Sequence, residues 1–481
     1  MKQPTLVLCK NICVSLILLF CLPLPAASAS DAREIYRISL GPNEVQGDKD
    51  STIARISANG MYIAFASRAT NLGGGTSQTM KVYLYNRTTG AVHPYFPSGS
   101  SGDVYPTALS ADGRYVVLSA LSMYRPLQQD VAIYDQQDKT TVCASVGTDS
   151  ACTHGGHEGS ISGDGRYVVF SSSSPDLVPG DTNTCGNSYT SPGHCPDIFL
   201  HDRDVSGSGD FDQAGNIRTT RISTANDGAQ AIDESGHPVI SANGRYVVFW
   251  SFASNLVPGD TNNSADVFLY NRDVSGSGVF DQPGNTHLAR ISVSSDGLNS
   301  GGGYKGLDIS ADGSYIVFSV SGWFGHDCDY YTNYFACTDV VVYDLQTGET
   351  TLVSHAYDGP LSLANGWSIY PAISADGRYI TYYSLAEANN IVPGDTNNLM
   401  DVFLYDQQTG QNTLISTGMG GAPADGDSGS PAISGYGKSV VFSSIASNLV
   451  TGKTNGVGDV FVNGAPPQIL FPRIYLPLII K

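Results

Sequence analysis

Apolar residues in this chain fall in short dense runs, each bounded by Gly, Asn or Asp, and one series of runs is written seven times. Its clearest copy lies between Ser241 and Val293. There SANGRYVVF is followed by a polar loop, then DVFLYNRD, a glycine-rich insert and LARISV. A turn glycine recurs at Gly60, Gly113, Gly165, Gly244, Gly313, Gly377 and Gly437, and after each comes an aromatic-aliphatic run such as RYVVF. Second runs begin at Val82, Val131, Ile198, Val267, Val340, Val402 and Val460. The apolar residues are mostly β-branched or aromatic, which suits a pleated, half-buried surface better than a helix. A repeat period of a few tens of residues signals a repeat architecture.

Within one unit four strands can be placed. The first carries segments such as HPVIS or YPAIS and ends at an Asp/Asn-Gly turn, a strong short-range hairpin signal because glycine accepts the positive φ. The second is the RYVVF run, the third the VFLYD run, and the fourth resembles TRIS, as at Thr219, Leu288, Thr350 and Asn412. Four short antiparallel strands, radially repeated, describe a blade. The seventh unit stops after Val460-Phe461-Val462 without a fourth strand, whereas residues 35–40 read IYRISL, a fourth strand with nothing before it. The expected fold is all-β: a seven-bladed β-propeller of four-stranded antiparallel blades, spanning residues 30–464 and closed by an N-terminal outer strand, which also covers an open sheet edge.

The turn core Ser110-Ala111-Asp112-Gly113-Arg114-Tyr115, with copies at Ser162, Ser241, Ser310 and Ser374, resembles the TolB-like branch of WD-type propeller repeats. The resemblance covers about residues 34–463. It implies the propeller fold and roles in scaffolding, ligand binding or, with an attached domain, hydrolysis. Asn59 and Tyr436 replace the aspartate in the first and seventh copies, suggesting degraded turns beside the closure.

Charge narrows the partners. The formal charge of −19 and the lack of any Lys/Arg run argue against nucleic acid and anionic membrane, leaving a protein or polysaccharide as partner of a monomer. Lys2 and Lys10 precede an apolar run ending in Ala27-Ser28-Ala29, which reads as a signal peptide over residues 1–29. The mature chain is therefore expected outside the cytoplasm, secreted or at the cell surface, with no transmembrane segment. Residues 465–481 form an apolar tail broken by Pro472 and Pro477, too short to span a bilayer. Six cysteines remain beyond the leader, in the close couples Cys143/Cys152, Cys185/Cys195 and Cys328/Cys337, and an even count in an exported chain reads as disulfides.

Two loop types carry oxygen side chains at spacings that suit a hard cation such as calcium. One is LVPGDTN…D, with Asp260, Asn262 and Asp266, then Asp395, Asn397 and Asp401; Asp181, Asn183 and Asp197 form the third copy. The other runs from Asp202 through Asp204, Ser206 and Asp212 and resembles an EF-hand loop, although Gln213 stands where a bidentate carboxylate is wanted. Turn capping by Asp and Asn is the competing explanation. No G-x-S-x-G, H-E-x-x-H or phosphate-cradling loop is present, and no catalytic domain is appended. The expectation is thus a non-enzymatic binding or scaffold propeller. The alternative is a carbohydrate-active hydrolase or lyase, with Asp233, Glu234, Asp308 and Asp427 converging near the axis.

Overall fold

A computed structural model gives the structure of this chain and describes residues 34–74, 79–95, 102–121, 129–147, 155–185, 193–293, 302–321, 338–386 and 390–466. The leader, the tail beyond Pro466 and Cys152, Cys328 and Cys337 lie outside them.

Seven four-stranded antiparallel sheets form seven blades. Blade 1 spans Ser51–Tyr95, blade 2 Val104–Cys143, blade 3 His157–Arg221, blade 4 Ser235–Arg290, blade 5 Gly302–Leu352 and blade 6 Ser368–Leu414. Blade 7 takes three strands from Ser428–Gly464 and its fourth from Glu34–Arg37. That strand pairs antiparallel with the end of the chain, Glu34 opposite Gly464 and Arg37 opposite Phe461. Ile38 N extends the ladder to Val460 O (3.0 Å), and Ser39 Oγ donates to Asp459 Oδ1 (2.6 Å). The expected closure is present.

Each blade packs both faces against its neighbours, so the core is seven apolar layers, one at every junction. Val169, Ile198 and Leu200 of blade 3, for example, meet Val247, Phe249 and Phe268 of blade 4. This is why the second and third strands read as unbroken apolar runs: a strand covered on both faces has no side to turn toward water. Cross-strand rings fix the register inside the blades, as Phe170 with Phe199 (5.8 Å) and Phe442 with Phe461 (5.9 Å).

The turn between the first two strands holds the ring together. Ser110 Oγ donates to Asp112 Oδ1 (2.7 Å), which accepts Arg114 N (2.9 Å), while Tyr115 N donates back to Ser110 Oγ (2.9 Å). Asn59 performs the same task, accepting Ser57 Oγ (2.6 Å) and Met61 N (2.9 Å), so the first turn is not degraded. The seven turn glycines have φ between 66° and 84°. A Cβ at Gly165 would come within 2.2 Å of the Tyr115 ring, because the tyrosine after each Gly-Arg lies under the next blade's turn. Blade 7 has Ser439 there. The Arg87 guanidinium fills the gap, donating to Gly60 O (2.8 Å) and Ser439 Oγ (3.0 Å).

The residue after each turn serine is Ala or Gly: Ala58, Ala111, Gly163, Ala242, Ala311, Ala375 and Gly435. Here backbone hydrogen bonds run from blade to blade around the axis. Asn59 N donates to Ala111 O, Ala111 N to Gly163 O, Gly163 N to Ala242 O, and Asn243 N to Ala311 O. Ala311 N donates to Ala375 O, Asp376 N to Gly435 O, and Gly435 N to Ala58 O, which completes the circle.

Two outcomes test this construction. Gly163→Leu should lower stability by about 1–3 kcal/mol in urea titrations, since even its Cβ would sit 3.0 Å from that of Ala242. Deleting residues 31–40 should lower the thermal midpoint and promote self-association through the uncovered strand, as read by thermal scans and size-exclusion profiles.

Candidate functional site

The first strand of every blade lines a central channel of about 600 Å3. Each of these strands carries a register shift, for instance between Thr52 and Arg55 or between Gly236 and Val239. A β-bulge re-aims side chains and recurs beside active sites. Here it acts on the residue four before the turn serine. Ile53, Glu158, His237, Tyr370 and Ser430 occupy that position in five blades, all at φ of 48–57°, and all line the channel. Left-handed backbone at non-glycine residues, one of them β-branched, is costly and collects at functional sites.

Two of these bulge residues meet. His237 Nε2 lies 3.0 Å from Glu158 Oε1, and His237 N donates to Glu158 Oε2 (2.8 Å), so both carboxylate oxygens hold the histidine across the blade 3–4 junction. The Glu158 carboxyl is held below its usual range: the His237 and His157 rings outweigh the effect of burial, which is the largest single influence and acts upward. Tyr370 stands near enough to feel the charge of Glu158; burial, the larger cause, raises its pKa as well. Two residues further along the strands Arg55 and Asp308 face the same channel. Arg55 donates to Thr107 O and Ala54 O (both 3.0 Å). Burial pushes Asp308 up to about 6, although it accepts Ile373 N and Ile309 N (both 2.9 Å) and feels Arg55.

Of the four carboxylates expected at the axis, only Asp308 lines the channel. Asp233 is exposed and accepts Glu234 N; Asp427 accepts Met400 N. All three of Asp233, Glu234 and Asp427 precede the innermost strand rather than lying in it, so the chain turns before they reach the axis. Glu158, His237, Tyr370 and Arg55 were not singled out from the sequence. The available signal was the position four before the turn serine, where residue type varies between copies while its surroundings do not.

The oxygen-rich loops gather as the spacing suggests, but around the protein's own donors. Asp260 and Asp266 lie 3.3 and 3.6 Å from Arg290 Nη1, and Asn262 turns its amide nitrogen to Asp266 (3.0 Å). Asp181 and Asp197 surround Arg221 in the same way (3.0 and 3.8 Å). In blade 6 Leu414 replaces that arginine; Asn397 Nδ2 donates to Asp401 (2.7 Å) beside the buried Asp395. In the EF-hand-like loop Asp202 pairs with Arg166 (2.9 Å) and Asp212 with Arg203 (2.5 Å). Asp204 accepts Ser206 Oγ, Gly209 N and Asn216 Nδ2. Arg203 lies over the Tyr115 and Phe211 rings, so this insert seals the blade 2–3 junction. Cys185 and Cys195 form the expected disulfide. Cys143 is also disulfide-bonded, and its expected partner lies outside the described residues.

No protein-family model matches this chain. No curated protein matches it either. Among solved structures, an oligogalacturonate lyase in complex with manganese is similar, with a TM-score of 0.51 and 11% identity, covering 91% of this chain and 94% of that one. An oligogalacturonate lyase from Vibrio parahaemolyticus gives a TM-score of 0.47 and 13% identity, covering 90% and 93%. A TolB protein from Agrobacterium tumefaciens gives 0.36 and 15%, covering 63% and 80%. What is shared at this identity is the propeller fold. The expectation of a non-enzymatic scaffold is nevertheless overturned. It rested on seven repeats with variable loops and no catalytic cluster, and a propeller of similar fold, matched over nearly its whole length, is an oligogalacturonate lyase. The channel also places a carboxylate–imidazole pair where the sequence showed no constellation. Among the described residues no three or more His, Cys, Asp or Glu are grouped to hold an ion.

Burial of carboxylates sets a pH dependence. Asp197, Asp266, Asp308 and Asp401 are each pushed up to about 6 by burial. Between the ordinary carboxylate range and pH 6 the folded chain therefore binds protons that the unfolded chain has released, and stability falls as pH rises through that window. Burial lowers His157 and His201, the latter to about 4, and these act oppositely in this window but are outnumbered by the four aspartates. Asp103, Asp135 and Asp406 are shifted down and lose their contribution only in more acid solution. The thermal midpoint at constant ionic strength should rise from pH 7 to pH 5 and fall below pH 4; a midpoint that declines steadily from pH 7 downward contradicts this.

Proposed function

We propose that this propeller is a carbohydrate-active lyase that cleaves uronate-containing chains in its axial channel. The observation that carries the reading is the Glu158–His237 pair, held on two bulges and facing the lumen. A carboxylate bound to an imidazole makes a base suited to removing a proton from carbon, whereas sugar hydrolysis uses two opposed carboxylates. The likeness of fold to oligogalacturonate lyases supports the substrate class.

With Nε2–H donated to Glu158, His237 Nδ1 carries the lone pair. It takes the proton on C5, next to the uronate carboxylate. The C–H electrons form the C4–C5 double bond, and the C4–O bond breaks. Tyr370, which burial keeps protonated, gives its hydroxyl proton to the departing oxygen. Arg55 spends two of its five N–H groups on backbone carbonyls and offers its charge to the uronate carboxylate, making the neighbouring C–H more acidic. After the products leave, imidazolium and tyrosinate recover their starting states by exchange with water. An extracytoplasmic site of action is supported by the Cys185–Cys195 disulfide; no helix among the described residues is long and apolar enough to cross a membrane.

The full chain incubated with polygalacturonate should generate the ultraviolet absorbance of a conjugated unsaturated uronide. His237→Ala should lower kcat by about 10²–10⁴-fold, with an unchanged thermal midpoint within a few degrees. New reducing ends without absorbance would mean hydrolysis and would refute the elimination.

A further inference from the structure

Aromatic rings from three successive blades cluster beside Tyr370 and Tyr383, which line the channel. Trp250, the last residue but one of the second strand of blade 4, meets Phe252 and Tyr304 edge-on, with centroids 5.6 and 5.2 Å apart. Tyr304, the third residue of the first strand of blade 5, lies close enough to Tyr370 of blade 6 to bear on its ionisation. Tyr370 stacks on Tyr383 with their planes 3° apart, and Trp367 stands edge-on to Tyr383 (5.6 Å). Phe252, Tyr304 and Tyr370 keep 37%, 47% and 43% of their surface in solvent.

This arc is built, not incidental. Trp250 is the buried footing on which the two exposed rings rest. The backbone is cleared for it: a Cβ at Gly236 would meet its ring at 2.5 Å, and one at Gly303 its Cβ at 3.2 Å. Exposed rings on a rigid footing present flat apolar faces at little entropic cost, since they are already fixed. The flat CH faces of a sugar ring match such surfaces, while its hydroxyls stay at the rim in water. Two cations stand near the arc, among the carboxylates of Glu158 and Asp308. Lys305 Nζ stands 5.6 Å from the Tyr304 ring centroid, and Arg55 lies in the channel beyond, in a chain of net charge −19. A cation beside stacked rings offers the carboxylate of an acidic saccharide a partner that a neutral one does not use.

We propose that the arc Phe252–Tyr304–Tyr370 is a sugar-stacking subsite that receives an acidic polysaccharide and lays it against the Glu158–His237 pair. The ligand class rests on the lyase reading; the arc's geometry does not. Phe252 and Tyr304 take no part in the proposed proton transfers, so removing them should change binding and leave the chemistry intact.

The test uses the full chain, with a galacturonate trisaccharide, a matching neutral galactan trisaccharide and an apolar peptide as probes, followed by calorimetry and tryptophan fluorescence. The acidic sugar should bind best. Tyr304→Ala should raise its Kd and KM by about ten-fold with kcat unchanged, Tyr304→Phe should restore binding, and Phe252→Ala should act in the same direction. Wild-type affinity in the Phe252→Ala/Tyr304→Ala double variant overturns the subsite, as does preference for the peptide or no sugar binding at all. Tyr304-dependent sugar binding without cleavage would sink the lyase reading and leave the subsite standing. Cleavage with KM indifferent to Tyr304 would do the reverse.

Discussion

Seven backbone hydrogen bonds around the axis set the geometry on which the remaining structure depends. Each joins one turn to the next, and the circle closes between Gly435 N and Ala58 O at 2.8 Å. Such close approach leaves room for a methyl group or a hydrogen and nothing larger, as the contacts of Gly163 and Gly435 with their neighbours show. The turn glycines add a second contact, accepting the tyrosine of the preceding blade beneath a left-handed backbone that carries no side chain. Two points of attachment per junction, backbone at the axis and a ring against glycine further out, with Arg87 in place of the ring where blade 7 meets blade 1, fix the angle between blades. The apolar layers then fill the space so defined.

The channel above this collar owes its chemistry to the bulges. A regular strand would alternate its side chains between the two faces of the blade, burying each in a junction. The extra residue breaks that alternation and sends Glu158, His237 and Tyr370 into the lumen instead. Because the collar and the junction layers bear the load of stability, the bulge residues are free to differ from blade to blade, and they do: Ile, Glu, His, Tyr and Ser stand at equivalent positions. A repetitive scaffold thereby acquires an asymmetric site, in keeping with the rule that function is grafted onto a fold and not inherent in it.

The acidic loops between the second and third strands show how repeats diverge under an electrostatic constraint. Blades 3 and 4 bury two aspartates against an arginine, Arg221 or Arg290. In blade 7 Lys453 takes the place of the first aspartate and shares Asp459 with Arg37 of the closing strand. Blade 6 has neither cation, and both Asp395 and Asp401 are raised by burial. The same spacing of Asp and Asn thus serves three charge balances, which spacing alone could not distinguish.

Much of the architecture was written in the sequence because it rests on local chemistry. The turn glycines, the β-branched runs and the orphan strand at Ile35–Leu40 each report a backbone requirement within a few residues, so blade number, strand order and ring closure could be read directly. The Ala/Gly after each turn serine was visible too, although its meaning, contact across the axis, was not. The site was decided only by the tertiary structure. Glu158 and His237 lie 79 positions apart, and Tyr370 and Arg55 come from other blades again. What brings them together is the closed circle, which turns equivalent positions on separate strands into neighbours around one lumen. Asp233, Glu234 and Asp427 share the acidity that made them candidates, but they stand one turn of chain too early to reach it.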